Sequence, residues 1–323
     1  MTVVVLGIDA LDPDIADPDE HPSLTLDSHR SIGTIVSSSG EPSTHELWPT
    51  IITGLPPSEH GLELTDGVAW ENPVISAAGS IANYTLPEGL QTRIGGWLLT
   101  NTNADAFRTP ASYYEENDIE TMLDGRASKA IGIPNYVVNP ESDDREHQLR
   151  RRLGELFERD PDAKGGHRSA DPDAFYEQCL EMAMIRIARV RRALRGRRHE
   201  LVFGYTSGLD LIGYVSHDRP TLQERAYDEL DDFVGELRDD LLADDELVLI
   251  SDHGLQDGLH TSEAMLAATN SGIIEEVSTV VDVRDGIESE LDRTDHTVAT
   301  RDGESAISDS EEVREQLEDL GYM

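Results

Sequence analysis

The stretch "PTLQERAYDELDDFVGELRDDLLADDELVLISDHG", residues 220–254, decides the fold class of this chain. It begins as a helix, with Pro220 near its first turn, and leads into an apolar strand at 246–254. The same order occurs just before it, where an amphipathic helix over 171–195 leads into an apolar strand at 200–207. Helix followed by apolar strand, twice in succession, indicates βαβ units. We therefore predict an α/β fold whose central sheet is mainly parallel and carries helices on both faces.

Other segments complete this outline as a single domain over 1–323. The opening run "TVVVLGI" is apolar and β-branched up to Asp9, as a buried parallel strand would be. A second such run, "ASKAIGIPNYVV" (127–138), follows a short helix candidate, "DIETMLDG". Residues 63–126 are rich in Gly, Asn and Thr, and we expect a small cap or a set of long loops there. The final "SEEVREQLEDLGYM" predicts a terminal helix, and Asp171 or Asp173 is a candidate N-cap of the 171–195 helix.

The charge balance limits the classes of partner. The chain has 323 residues, with 65 acidic against 26 basic residues and a formal net charge of −39. Such a negative field repels nucleic-acid backbones and anionic membranes, so we expect neither as a partner. Abundant Asp and Glu, with lysine only at Lys129 and Lys164, are typical of halophilic, haloarchaeal-type sequences. Molar salt screens the self-repulsion of such a surface within about 3 Å. An acidic cation-binding surface is the alternative explanation.

The amino terminus shows no targeting segment. "MTVVVLGIDALDPD" has no basic region, and its apolar run is too short for a signal peptide or a membrane span. We therefore expect a cytoplasmic protein. The single cysteine, Cys179, lies in a helical pattern and is expected to be a packed thiol, and no intrachain disulfide can form.

Carboxylate and imidazole side chains follow the ends of the predicted strands, where functional groups gather in a parallel sheet. Each alone has an ordinary explanation, because Asp often caps helices and a single His is commonly packed or exposed. Together they form a ligand set that suits zinc or manganese better than calcium or magnesium. The sequence therefore predicts a shared metal site. Its members are Asp9, Asp210, Asp252, His253 and His260.

Four pieces of the chain resemble the alkaline phosphatase superfamily, and within it the type I phosphodiesterase and nucleotide pyrophosphatase branch. They are "VVVLGIDA", "PSTHELWPTIITGLPPSEHG", "TSGLD" and "SDHGLQDGLH", in the order that the family shows. The second piece is similar to the branch's pattern of Pro, a nucleophilic Thr, Trp, Thr-Gly and His-Gly. The fourth is similar to its Ser-Asp-His-Gly followed shortly by a metal-binding His. The pieces span residues 3–260, most of the chain.

The resemblance implies an alkaline phosphatase-like fold and two divalent metal ions, zinc or manganese. It implies that Thr44 is the nucleophile and forms a phosphothreonine intermediate. A threonine hydroxyl is a poor nucleophile at neutral pH, but a divalent cation can stabilise its alkoxide. The implied ligands are Asp9, Thr44, Asp252 and His253 for one ion, and Asp210 and His260 for the other.

The chain departs from the family pattern at two positions. The family has a second metal-binding His four residues after the aspartate that matches Asp210, and this chain has Tyr214 there. One alternative is that His217 reaches the site from the next helical turn, another that Tyr214 ligates or hydrogen-bonds a water, and a third that the second ion is weak or absent. Nucleotide-cleaving members also have an Asn three residues after the nucleophile, where this chain has Leu47.

The expected function is a metal-dependent phosphoesterase acting on a small-molecule phosphate ester, as a phosphodiesterase or nucleotide pyrophosphatase-like hydrolase. The alternative is a degenerate superfamily member that keeps one metal site and has a binding or regulatory role. A sulfatase is disfavoured, because it needs a Cys or Ser nucleophile in a Cys/Ser-x-Pro-x-Arg context, which Thr44 does not offer.

Overall fold

A computed structural model describes residues 1–37, 40–63, 109–139, 153, 156–160, 167–216 and 219–293 of the chain. Residues 64–108, most of the predicted cap, lie outside the described residues, and so does the predicted terminal helix at 310–323. Both stay predictions. No helix in the described ranges is long and apolar enough to cross a lipid bilayer.

A six-stranded sheet forms the centre of the described chain, and two short two-stranded ribbons lie outside it. In chain order the strands are β1 (Val3–Ile8), β2 (Ser28–Gly33), β3 (Ser128–Ile131), β4 (Phe157–Arg159), β5 (His167–Ser169), β6 (Leu201–Thr206), β7 (Glu246–Ile250), β8 (Leu255–Gln256), β9 (Leu259–His260) and β10 (Glu263–Ala268).

The order of the central sheet is β2-β10-β7-β1-β6-β3, and the four strands β7, β1, β6 and β3 are parallel. Strand β10 is antiparallel to β7 and to β2, so one side of the sheet is mixed. All six residues of β1 are buried, as expected of an apolar strand with helices on both faces. The predicted mainly parallel sheet is confirmed.

Helices cover both faces of the sheet. They are α1 (Pro22–Thr25), α2 (Thr44–Thr53), α3 (Pro57–His60), α4 (Ser112–Glu116), α5 (Pro172–Arg195), α6 (Gly208–Val215), α7 (Pro220–Arg238), α8 (Ser271–Glu276) and α9 (Val283–Arg293). Alternate residues of β1 point to opposite faces. Val4 and Leu6 pack against α5 and α7, whereas Val3 and Val5 pack against α2 and α9. Each such buried side chain stabilises the fold by roughly 1.5–3 kcal/mol.

The long helices begin where their sequences predict. Asp171 is the N-cap of α5, and its carboxylate accepts a hydrogen bond from the backbone N–H of Ala174 at 3.1 Å. Pro220 lies in the first turn of α7, where a missing N–H costs nothing. Cys179 is buried in α5, and burial raises the pKa of its thiol, as expected of a packed rather than a reactive cysteine.

One local prediction is wrong, and another is confirmed only in part. Residues 118–125 form turns instead of a helix, because Asp118 has a positive φ of 55° and the side chain of Asp124 accepts hydrogen bonds from the N–H and hydroxyl of Thr121. The strand predicted at 127–138 is only β3, since Gly132 (φ 72°) and Asn135 (φ 55°) take left-handed conformations that no strand continues through.

Candidate metal centre

The parallel strands bring three predicted acidic residues to one edge of the sheet. Strand β1 lies between β6 and β7, and Asp9 follows it directly, with its N–H donating to the carbonyl of Thr206 at 2.9 Å. Asp210 lies in the first turn of α6, which follows β6. Asp252 and His253 follow β7. The predicted convergence at the carboxyl ends of the strands is therefore present in the fold.

Thr44 is the first residue of α2 and lies over this edge. Its Oγ1 atom is 3.4 Å from both carboxylate oxygens of Asp9 and 3.5 Å from Nε2 of His253. Its side chain is half-buried, whereas the residues that follow it in α2 are buried. The amino end of a helix carries partial positive charge, so the hydroxyl faces a position that favours an anionic group.

Asp9, Asp252 and His253 form a first group of candidate ligands. One donor atom from each lies within 4.8 Å of the others, and all three side chains are buried. Among the described residues, neither carboxylate oxygen of Asp252 has a hydrogen-bond partner, and its nearest ionic contact is Nε2 of His253 at 3.5 Å. Buried carboxylates are normally paired or bound to a metal, so the unpartnered oxygens of Asp252 fit a divalent cation.

The electrostatics of the first group fit a cation as well. Burial raises the pKa of Asp9 well above its usual value, and the neighbouring charges of Asp252 and Asp210 raise it further. Burial likewise raises the pKa of Asp252 to about 6. Burial lowers the pKa of His253, which keeps the imidazole neutral, the form that binds metals. Two buried carboxyl groups beside a neutral imidazole form a site that a divalent cation would neutralise.

Asp210, His253 and His260 form a second group, and His253 is shared with the first. His260 lies on β9, and its Nδ1 is 2.9 Å from the carbonyl oxygen of Pro42, to which it donates. Its Nε2 contacts the hydroxyl of Tyr214 and lies 3.7 Å from Oδ1 of Asp210. Burial lowers the pKa of His260, but the carboxylate of Asp210 more than offsets this and raises it to about 9.

Of the residues involved in the departures from the pattern of the resembled family, the structure describes Tyr214 and Leu47 but not His217. Tyr214 lies on α6 and touches His260, and their ring centroids are 5.5 Å apart. His217 lies outside the described residues, so its proposed reach toward the second group stays a prediction. Leu47 is buried in the apolar core beneath α2.

Other residues of the "PSTHELWPTIITGLPPSEHG" piece have structural roles. Trp48 is fully buried against Phe203 and Tyr205, as expected of core packing. His60 is buried too. Its Nε2 contacts the hydroxyl of Thr50, and its Nδ1 accepts a hydrogen bond from the N–H of Leu62. Both side chains therefore stabilise the packing of this segment.

Two residues that support the site were not predicted. The hydroxyl of Tyr205, on β6, donates to Oδ2 of Asp9 at 2.5 Å. The side-chain amide of Asn135 donates to Nδ1 and to the carbonyl oxygen of His45, beside Thr44, at 2.8 and 2.9 Å. No signal in the sequence separates Tyr205 from its neighbours, because every residue of β6 is buried. For Asn135, the segment "IPNY" gave a weak sign, since Asn after Pro favours a turn.

Comparison with known proteins gives likenesses in structure only. No family model matches the chain, and no curated protein matches it. The chain is similar to murine ectonucleotide pyrophosphatase/phosphodiesterase 5, with 16% identity, a TM-score of 0.43, and coverage of 79% of this chain and 57% of that one. This chain thus spans less than two thirds of the length of the murine protein.

Two further solved structures match this chain over nearly the whole length of both proteins. A protein from Pyrococcus horikoshii has 12% identity and a TM-score of 0.46, with coverage of 91% of this chain and 97% of that one. The alkaline phosphatase from the Antarctic bacterium TAB5 has 13% identity and a TM-score of 0.38, with coverage of 90% and 97%.

Proposed function

We propose that this chain is a metal-dependent phosphoesterase in which the hydroxyl of Thr44 attacks phosphorus. The position of Thr44 carries the proposal: its Oγ1 lies 3.4 Å from both oxygens of Asp9 and 3.5 Å from Nε2 of His253. A nucleophile in this position is next to the residues that would hold a divalent cation. The resemblance of "PSTHELWPTIITG" and "SDHGLQDGLH" to the family's nucleophile and metal segments supports the same assignment.

The residues divide into two roles. Asp9, Asp252 and His253 would hold the ion, with Thr44 beside it, and the family resemblance adds Asp210 and His260 for a second ion. When bound there, zinc or manganese supplies positive charge that favours the threonine alkoxide and the phosphate oxygens. The amino end of α2 adds its partial positive charge on the same side.

The reaction proceeds in two displacements. The hydroxyl of Thr44 gives up its proton to solvent and Oγ1 forms a bond to phosphorus while the bond to the leaving oxygen breaks, and the leaving group takes up a proton from solvent and departs as an alcohol or phosphate. Water then attacks the phosphothreonine, which releases the phosphate product and restores the hydroxyl of Thr44. The net reaction consumes one water. A phosphodiester or a pyrophosphate of a small molecule is the proposed substrate class.

Hydrolysis of an aryl phosphodiester tests the proposal. We expect turnover with zinc or manganese in molar potassium chloride, which screens the self-repulsion of a chain with net charge −39. Thr44→Ala should abolish turnover, whereas Thr44→Ser should keep part of it. Thr53→Ala is the matched control, because Thr53 lies at the other end of α2 and donates to the carbonyl of Pro49. Unchanged turnover in Thr44→Ala would contradict the assignment.

A non-catalytic role is the second candidate. The contact between Tyr214 and His260 favours it, since that contact lies where the family has a second metal ligand. If the protein binds a divalent cation tightly but turns over no phosphoester with any metal, and no phosphothreonine is found at Thr44 by mass spectrometry after an acid quench, the binding or regulatory role is supported.

A further inference from the structure

We infer that Tyr214 closes the second ion position, so that this chain holds a single divalent cation at Asp9, Asp252 and His253. The inference rests on the proposed metal site and concerns how many ions that site takes. It departs from the pair of ions that the family resemblance implies. Three contacts carry it, one at each of the histidines and one between α6 and the ribbon formed by β8 and β9.

The first contact fixes which nitrogen of His260 can bind an ion. Nδ1 is 2.9 Å from the carbonyl oxygen of Pro42. A carbonyl only accepts, so Nδ1 carries a hydrogen and donates it. Nε2 is therefore the only nitrogen of His260 left for a ligand bond. Because the hydroxyl of Tyr214 is hydrogen-bonded to that atom, Tyr214 already fills the position from which His260 would hold an ion.

The second contact fixes the nitrogen of His253 in the same way. Its Nδ1 is 3.1 Å from the carbonyl oxygen of Gly254, which leaves Nε2 as its one available nitrogen. That Nε2 lies 3.4 Å from Oδ1 of Asp9 and 3.5 Å from Oδ2 of Asp252, on the side of the first group. One lone pair serves one ion. Once His253 completes the first group, the second group keeps Asp210 and His260 among the described residues, so an ion held there without the Tyr214 hydroxyl would be bound more weakly than at zinc sites with three or four protein ligands.

The third contact holds Tyr214 against His260. Gly213, the residue before Tyr214, packs directly on Leu255 of β8, where an added Cβ would lie 2.4 Å from a side-chain carbon of Leu255. Leu255 pairs with His260 across the ribbon. The glycine thus lets α6 approach the ribbon closely, and this close packing places the phenol of Tyr214 beside the imidazole of His260.

Metal content measured without substrate tests the inference. The full chain is stripped with a chelator, equilibrated with zinc in molar potassium chloride, and analysed for bound zinc by mass spectrometry and titration calorimetry. We expect one zinc per chain for the wild type. Tyr214→Phe removes only the hydroxyl and should admit a second, weaker zinc. Tyr214→His supplies the missing ligand and should bind the second zinc at least roughly tenfold more tightly than Tyr214→Phe.

Controls locate the single ion. Tyr176→Phe removes a buried tyrosine hydroxyl that donates to Glu229, away from the site, and should keep one zinc. His260→Ala should also keep one zinc, whereas Asp252→Asn should lose it. Circular dichroism confirms that each variant is folded before its zinc content is compared.

Three outcomes would overturn the inference. They are two zinc ions in the wild type, no second zinc in folded Tyr214→Phe, and loss of the single zinc in folded His260→Ala. A failure of the proposed function is recognised separately, by hydrolysis that survives Thr44→Ala, because the zinc content is measured in the absence of any phosphoester.

Discussion

The hydroxyl of Tyr205 donates a 2.5 Å hydrogen bond to Oδ2 of Asp9. Both residues are buried, and each carboxylate oxygen of Asp9 lies 3.4 Å from Oγ1 of Thr44. Tyr205 thereby fixes the orientation of the carboxyl group in the first ligand group. Hydrogen bonds of this kind orient metal ligands, and their loss typically weakens metal binding 10–100-fold.

Tyr205→Phe should therefore weaken zinc binding by roughly tenfold and destabilise the fold by about 1–3 kcal/mol, because a buried acceptor loses its donor. Zinc titration and urea unfolding measure the two effects. Tyr176→Phe is the control, since the hydroxyl of Tyr176 on α5 donates to Glu229 on α7. We expect it to change stability but not zinc affinity. Equal zinc affinity in both variants would show that Tyr205 does not position Asp9.

Gly7→Ala should destabilise the protein, because Gly7 lies on β1 directly beneath Trp48. An added Cβ would be 2.5 Å from two ring atoms of Trp48, which is fully buried and lies one turn after Thr44 in α2. Forced overpacking of this kind costs about 1–3 kcal/mol. We also expect reduced hydrolysis, since moving Trp48 moves the start of α2. Urea unfolding and the aryl phosphodiester assay check both.

Gly33→Ala is the matched control for this substitution. Gly33 lies on the edge strand β2, and the nearest atom to an added Cβ there is a methyl of Thr279 at 3.6 Å, an ordinary contact. Its effect should stay within about 0.5 kcal/mol. If the two glycine variants lose the same stability, the close approach of Trp48 to β1 is not the reason why position 7 requires glycine.

The parts of the fold that the sequence predicts are those in which one physical rule dominates. Strands β1, β6 and β7 are buried on both faces, so they appear as continuous apolar runs, and their carboxyl ends carry Asp9 and Asp252. The edge strand β2, "SHRSIG", is largely exposed and polar, and nothing in its pattern indicates pairing with β10. Its place is set by tertiary contacts.

The candidate site likewise has features that the sequence predicts and features that only the structure shows. The candidate ligand types and their order along the chain are visible in the sequence, and so is Tyr214 at the position where the resembled family has a histidine. Which atom Tyr214 touches is not visible, because it depends on how closely α6 approaches the ribbon at Gly213 and Leu255. The support of Asp9 by Tyr205 depends in turn on the register of β1 and β6, which places Gly7 opposite Tyr205.

His60 should make the fold sensitive to acid. Burial lowers the pKa of His60 from 6.5 to about 4, so the unfolded chain binds its proton at a higher pH than the folded chain does. Between these values stability falls as the pH falls, by about 1.4 kcal/mol per pH unit. Urea unfolding between about pH 7 and pH 5 should show a shallower loss in His60→Gln than in the wild type.

The control for this effect is His29→Gln. His29 is exposed on β2, so its substitution should leave the acid dependence of the wild type unchanged. A loss of stability in His60→Gln that is as steep as in the wild type would mean that another buried group accounts for the acid sensitivity.

Removal of the proposed metal ion should destabilise the protein more at alkaline than at acidic pH. In the metal-free protein, burial raises the pKa of Asp252 to about 6 and that of Asp9 well above its usual value. Protons on these groups stabilise the metal-free fold at low pH, and this contribution is lost as the pH rises through about 6. A bound cation takes the place of these protons, so the metal-bound protein does not lose this contribution to its stability as the pH rises. Calorimetry with zinc or with a chelator should give a larger difference in Tm at about pH 8 than at about pH 5.

Asp252→Asn removes one of the carboxylates and should flatten the pH dependence of the chelated protein. A difference in Tm that does not change with pH would contradict the placement of the cation between Asp9 and Asp252.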